Sequence, residues 1–424
     1  MKAVKVGFIV LASALLAMGV APMSFAFHSG GVAECTGCHS MHAPLSANNL
    51  LLGTDDSSTC LNCHQNAADT KASSYHISTV DSKLTGTGSP LQRTPGGDFA
   101  WLKKTYSWTG YHGPETEAGS THGHNIIAAD YGYFVDDKAG SPGGSFPSAQ
   151  LACTSCHDQH SKARRFPDGT IADTGAPIIG SGSYDTSILP VGTQAMGIYR
   201  LLRGNLNPVS NADFTGYPVA VAPYSYNRTE AVTQTRVAYG DATGSSNGAS
   251  WGQWCATCHA NMHSTKSGNL VHPIDEPLSG YSVNYAKYVS SGIMTGSSAT
   301  SYLSLVPFAT NDWKFSTLKP LADPASTITG SGPDAADKVM CLSCHRAHAS
   351  GFPEMLRWNT ESEFITAVDN TGTVIWPGTD AVGGASKGSN GRTSLETAAA
   401  YYDRPVTVFG AYQRQLCNKC HAKD

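Results

Sequence analysis

Hydrophobic and polar positions along this chain keep few long periods, and the exceptions are informative. One apolar run, Val6 to about Val20, follows Lys2 and Lys5 and leads to Phe25 flanked by the small residues Ser24 and Ala26. That arrangement predicts a secretory signal peptide over residues 1–26, cleaved after Ala26, with residues 27–424 as the mature chain. The run is too short for a membrane span, and no cysteine follows it closely enough for a lipoprotein anchor. Near the far end, Leu395, Ala398, Ala399 and Tyr402 share one helical face, so a helix is expected over Ser394–Tyr402. Arg228 to Tyr239 is rich in Thr and Val and reads as a short strand or an extended wrap. Segments 141–144, 180–182, 244–248, 330–333 and 383–391 are turn-rich loops. No internal linker stands out, so 27–424 is expected to be a single elongated domain, with two lobes divided after Gly240 as the alternative.

Composition sharpens this picture. Only 14% of residues are charged, against 44 Gly and 22 Pro, and the formal net charge is −4. No basic footprint for nucleic acid exists. Such a chain is expected to be mostly coil and turns with short α-helices and minimal β. It would resemble a disordered one, but 7 Trp and 18 Tyr argue for a packed interior.

The cysteines say what supplies that interior. All twelve lie in six copies of Cys-x-x-Cys-His: Cys35, Cys38, His39; Cys60, Cys63, His64; Cys153, Cys156, His157; Cys255, Cys258, His259; Cys341, Cys344, His345; and Cys417, Cys420, His421. This is the attachment signature of c-type haem. Two thiols one helical turn apart can form thioethers to the porphyrin vinyl groups, and the following histidine shares their face and can reach the iron. Disulfide frameworks and zinc knuckles do not require that histidine. Six covalently bound haems would provide the core that the chain wraps around, and stability should depend on their insertion. The motifs begin 25, 93, 102, 86 and 76 residues apart in succession, with no sequence repeat beyond the motif itself.

Iron in a porphyrin has two axial positions. Ten histidines lie outside the motifs, enough to close all six haems as low-spin, bis-histidine centres. His42, His160 and His348 each follow a motif histidine by three residues, and His263 follows His259 by four. Two side chains so close on one helical turn cannot reach one iron from opposite faces, so the second of each pair would serve another haem or none. His76, His124 and His272 have apolar neighbours suited to a haem pocket, and His28, second in the mature chain, could reach the first haem. His112 and His122 read as surface residues. Met41 and Met262 directly precede candidate histidines and would point elsewhere, so methionine ligation is not expected.

Specific stretches resemble the OmcS-type family, the outer-surface hexahaem cytochromes of metal-reducing bacteria. They include FHSGGVAEC (Phe27–Cys35) with Met41 and His42, SYHI (Ser74–Ile77), PGGDF (Pro95–Phe99), YNRTE (Tyr226–Glu230), CLSCHRAHA (Cys341–Ala349) and CNKCHAKD (Cys417–Asp424). The resemblance implies six bis-histidine haems in a coil-rich fold and head-to-tail assembly into a conductive filament. It also implies that His42 is donated to the haem of the Cys341–His345 motif in the adjacent protomer. Such a contact is heterologous and non-closing.

Three functions compete. The leading one is a filament subunit, exported through the periplasm to the cell surface, that relays electrons to other cytochromes and to extracellular acceptors such as metal oxides or partner cells. A monomeric periplasmic or outer-surface carrier would bear the same haems without a polymer. A multihaem reductase would need an open axial site, against which six intact motifs and surplus histidine argue. No catalytic residue is expected.

Overall fold

The computed structural model describes residues 35–46, 49–67, 75–174, 176, 178–204, 216–229, 235–263, 272–381 and 387–421. The leader, the cleavage site and His28 lie outside them. A helical turn forms at every motif: Cys35–Cys38, Asp56–His64, Cys153–Cys156, Trp251–Ala256, the 3-10 turn Cys341–Ser343, and Asn418–His421. Outside the longer Asp56–His64 helix, the amide of each motif histidine donates to the carbonyl of the first cysteine at 2.8–3.1 Å. That single closed turn gathers two thiols and one imidazole on one side. Caps support the longer turns: Asp55 accepts from Ser58 N, and Ser250 and Gln253 form a reciprocal capping box.

Sheet is sparse. Val219–Val221 pairs antiparallel with Ala238–Gly240, which pairs in parallel with Ala309–Thr310. The other sheets have two strands each, the longest being the hairpin Tyr106–Gly110 with Gly113–Glu117. The helix expected over Ser394–Tyr402 is observed at Ser394–Ala400. The stretch Arg228–Tyr239 is only partly extended: Tyr226–Thr229 is helical, and strand begins at Ala238.

Among the described residues the interior is divided into three apolar clusters, joined through Leu151 and Leu102. The first packs Val219, Val221, Tyr239, Trp251 and Phe315 together, with Cys156, Cys255 and Cys258 against it. A second, around Trp101, Trp358, Trp376 and Tyr401, has Cys344 and Cys420 at its margin. Leu61, Phe99, Ile126 and Tyr133 form the third, beside Cys153. Every cluster therefore borders motif cysteines. Among the described residues, no helix is long and apolar enough to cross a membrane.

Candidate haem-binding site

The motif thiols approach one another in sequence order. The Cys38 thiol is pushed up by burial and then by the Cys63 and Cys35 thiols. Cys60 is within hydrogen-bond reach of Cys153. Burial, and next the Cys258 thiol, pushes Cys156 up to about 12. Cys255 meets Cys341, and Cys344, half-buried, is raised by desolvation and then by Cys417 and Cys420. Each motif thus lies beside the next in sequence order. Loss of solvent raises the Cys38, Cys156 and Cys344 thiols, a proton-linked cost that thioethers, which carry no proton, do not meet.

Four pairs of imidazole rings face each other across a gap. The centroids of His39 and His160 are 6.3 Å apart, with planes 22° from parallel. His157 and His348 stand at 6.3 Å and 58°, His124 and His259 at 6.0 Å and 37°, and His272 and His421 at 6.3 Å and 62°. Two imidazole nitrogens, each about 2 Å from a metal between them, put ring centres about 6 Å apart. The separation therefore fits one iron held axially. Among the described residues, no three His, Cys, Asp or Glu side chains converge on a metal position. An iron held by two imidazoles needs its other ligands from a macrocycle, which the flanking thiols are spaced to anchor.

Hydrogen bonds fix which nitrogen is available. Nδ1 of His39 donates to the Asn49 carbonyl at 2.8 Å, His64 to Tyr75 at 2.6 Å, and His157 to Arg200 at 2.8 Å. His259 donates to Pro142 at 2.8 Å and His345 to Glu354 at 2.7 Å. On the opposite side, His124 Nδ1 donates to Ala347 at 2.8 Å. A carbonyl only accepts, so each of these rings carries its proton on Nδ1 and keeps the Nε2 lone pair for a metal. Burial holds His124 down at about 4 and His348 at about 3, so both stay neutral and able to ligate.

The remaining candidates divide. His42 is exposed beside Met41, which is 82% exposed. Among the described residues, no second ring faces His345 across such a gap. His76 is buried, with Nε2 3.3 Å from Asn66 Nδ2, while the Tyr75 ring stands edge-on to His64 at 5.6 Å. His263 ends the short helix Ala260–His263. Met262 is exposed. His112 is on the surface, as expected, but His122 is not. His122 is fully buried; Nδ1 donates to the Trp101 carbonyl at 2.9 Å and Nε2 meets Glu117, which also pairs with Arg392. Both ring nitrogens are engaged, so His122 is a structural residue.

Comparison with known proteins gives the family. Residues 28–69 match the doubled CXXCH motif family. Over the full length of both proteins, the chain is 47% identical to the C-type cytochrome OmcS of Geobacter sulfurreducens. This chain belongs to the OmcS family of c-type cytochromes. Two solved structures, the cryo-EM OmcS nanowires and the outer membrane cytochrome S filament of the same organism, match it with a TM-score of 0.83 at 46% identity. In each case the match spans 94% of this chain and all of the other. Membership assigns covalently bound haem c to the motifs and electron transfer to the protein.

Proposed function

We propose that the mature chain is one elongated hexahaem domain and a subunit of an extracellular filament that carries electrons over long distances. In this reading residues 1–26 direct export, and the polymer delivers electrons from other cytochromes to metal oxides or partner cells. When bound, haem c supplies a one-electron Fe(III)/Fe(II) couple. The chain's own part is positional. Twelve thiols anchor six macrocycles in a line, motif histidines present Nε2 from one face, and other histidines close the second face. His160, His348, His124 and His272 are the second ligands for the first, third, fourth and sixth motifs. His76, His28 and His263 are the candidates for the second. No residue serves as acid, base or nucleophile.

One observation carries the filament. The histidine three residues beyond the third motif stands opposite the first motif's ligand (His160 with His39), and the one beyond the fifth stands opposite the third's (His348 with His157). Continuing that step by one, the fifth motif's His345 requires the histidine three residues beyond a first motif. Within this chain that residue is the exposed His42, at the opposite end of the motif line. A neighbouring protomer's copy satisfies the series, and the contact repeats without closing.

Replacing His42 by Ala should abolish filaments in material sheared from the cell surface, as seen by electron microscopy, and leave one haem per protomer without its second ligand. Filaments that persist in the variant would refute the cross-protomer ligand.

A further inference from the structure

Three of the Nδ1–carbonyl bonds share one backbone design. At the first motif, Asn49 accepts from His39 Nδ1, and the next residue, Leu50, has φ +54. The Leu50 carbonyl accepts from Ser40 N at 2.7 Å, and Leu52 N returns to the Cys38 carbonyl at 3.0 Å. At the third motif, Arg200 (itself at φ +47) holds His157, Leu201 has φ +53, Asp158 N donates to the Leu201 carbonyl, and Arg203 N donates to that of Cys156. The fifth repeats the third: Glu354 (φ +52) holds His345, Met355 has φ +59, Arg346 N donates to the Met355 carbonyl, and Arg357 N donates to that of Cys344, so all three share the hydrogen bonds and the left-handed residue after the accepting carbonyl. These are the same three motifs that carry the His-x-x-His extension. The fourth uses a related turn, with Gly143 at φ +65 behind the Pro142 carbonyl and Asn261 as the donor.

Successive carbonyls of an extended strand point to opposite sides. Such a strand cannot present one carbonyl to the imidazole and the next to the amide beside it. The left-handed residue reverses that alternation and aims both at the motif. Leucine and methionine adopt this conformation at a steric cost that glycine avoids. Strain of this kind persists where its surroundings fix it, and it concentrates at functional sites.

We propose that Leu50, Leu201 and Met355 are positioning residues whose left-handed turns lock the axial imidazoles of His39, His157 and His345 in rotation and in electron donation to iron. The inference rests on those histidines being haem ligands. A carbonyl accepting from Nδ1 makes the ring a stronger donor, which favours Fe(III) and holds the potential down. The turn also sets the angle between the two axial ring planes, to which the electron paramagnetic resonance signal of a low-spin bis-imidazole haem is sensitive.

Leu50 is the best test position because its side chain is exposed and little packing is lost. Holoprotein carrying Leu50→Gly, Leu50→Asn or Leu50→Val is to be compared by potentiometric titration and paramagnetic resonance. Gly and Asn tolerate a left-handed backbone and should match the parent. Val, branched at Cβ, does not: one redox component should move to higher potential, one low-spin signal should change its g-values, and the other components should stay. A Gly variant that shifts as far as Val would assign the effect to the lost side chain and overturn the proposal. So would the absence of any valine-specific change at Leu50, Leu201 and Met355 alike. A parent protein lacking low-spin bis-imidazole signals would instead defeat the ligand assignment on which the inference rests.

Discussion

No side chain fits at position 97. With φ +97, a Cβ there would lie 1.7 Å from the Ala349 carbonyl oxygen, and one at Gly96 would meet His348 Nδ1 at 2.7 Å. Because the Gly96 carbonyl also anchors the His348 amide at 2.7 Å, this glycine pair seats the imidazole opposite His157. Gly97→Ala should cost about 2–4 kcal/mol and displace that ring, which a high-spin absorption band would reveal. Fully low-spin spectra in the variant would count against this role. A second residue-scale case is Glu361. Burial first, and then the Glu117 carboxylate, push its carboxyl up to about 7, above the usual value of about 4.3. A carboxyl that holds its proton more tightly when folded adds stability that is full below about pH 4 and lost as pH rises through about 7. Glu361→Gln should therefore raise the melting midpoint at pH 8 and leave it unchanged at pH 4.5. Equal shifts at both pH values would contradict the assignment. His122 shows where residue-level reading of the sequence stopped. Its neighbours are Gly, Ser and Thr, and what buries it, Trp101 and Arg392, lies far off in the chain.

At the scale of elements, periodicity found the helix near the far end but not its buried face: Leu395, on the expected face, is 66% exposed, while Glu396 and Thr397 are buried. Ser394–Ala400 begins with a reciprocal capping box in which Thr393 accepts from Glu396 N and Glu396 accepts from Thr393 N. Glu396 also pairs with Lys104 at 2.7 Å. Thr393→Ala should cost about 1 kcal/mol in thermal unfolding, and an unchanged midpoint would mean that packing alone holds the helix. Strands were harder to read because their partners are remote: Ala238–Gly240 is a strand through Val219–Val221 and Ala309–Thr310, not through its own Thr and Val content. The hairpin at Tyr106–Glu117 was legible in principle, since Tyr106 and Trp108 face inward and Ser107 and Thr109 outward. Its two-residue loop, Tyr111 and His112 between Gly110 and Gly113, is a further signal.

Across the whole molecule, the motifs announced the cofactor and the low charge announced the scarcity of regular structure. The conformational repeat of three turns was invisible, because it resides in φ angles and carbonyl directions that Leu, Arg, Glu and Met side chains do not encode. Among the described residues each of the three apolar clusters is bordered by motif cysteines, so the attached macrocycles would complete the packing of every one. Chain produced without haem attachment should accordingly lack a cooperative thermal transition in near-ultraviolet circular dichroism. A sharp transition at the midpoint of the holoprotein would show that the polypeptide suffices. The span from motif histidine to carbonyl is 10 residues at His39, 9 at His345, but 43 at His157. Closing the longest rather than the shorter spans costs only roughly 1.3 kcal/mol more chain entropy. Of the 42 residues between His157 and Arg200, His160 faces His39 and Ile171, Met196 and Tyr199 pack in the first cluster, but the exposed residues 191–194 can be lengthened or rewritten while both ends stay pinned to the same ring. In electrical terms, the sheath of such a cable can evolve, or be engineered to carry tags and binding peptides, independently of its conductor.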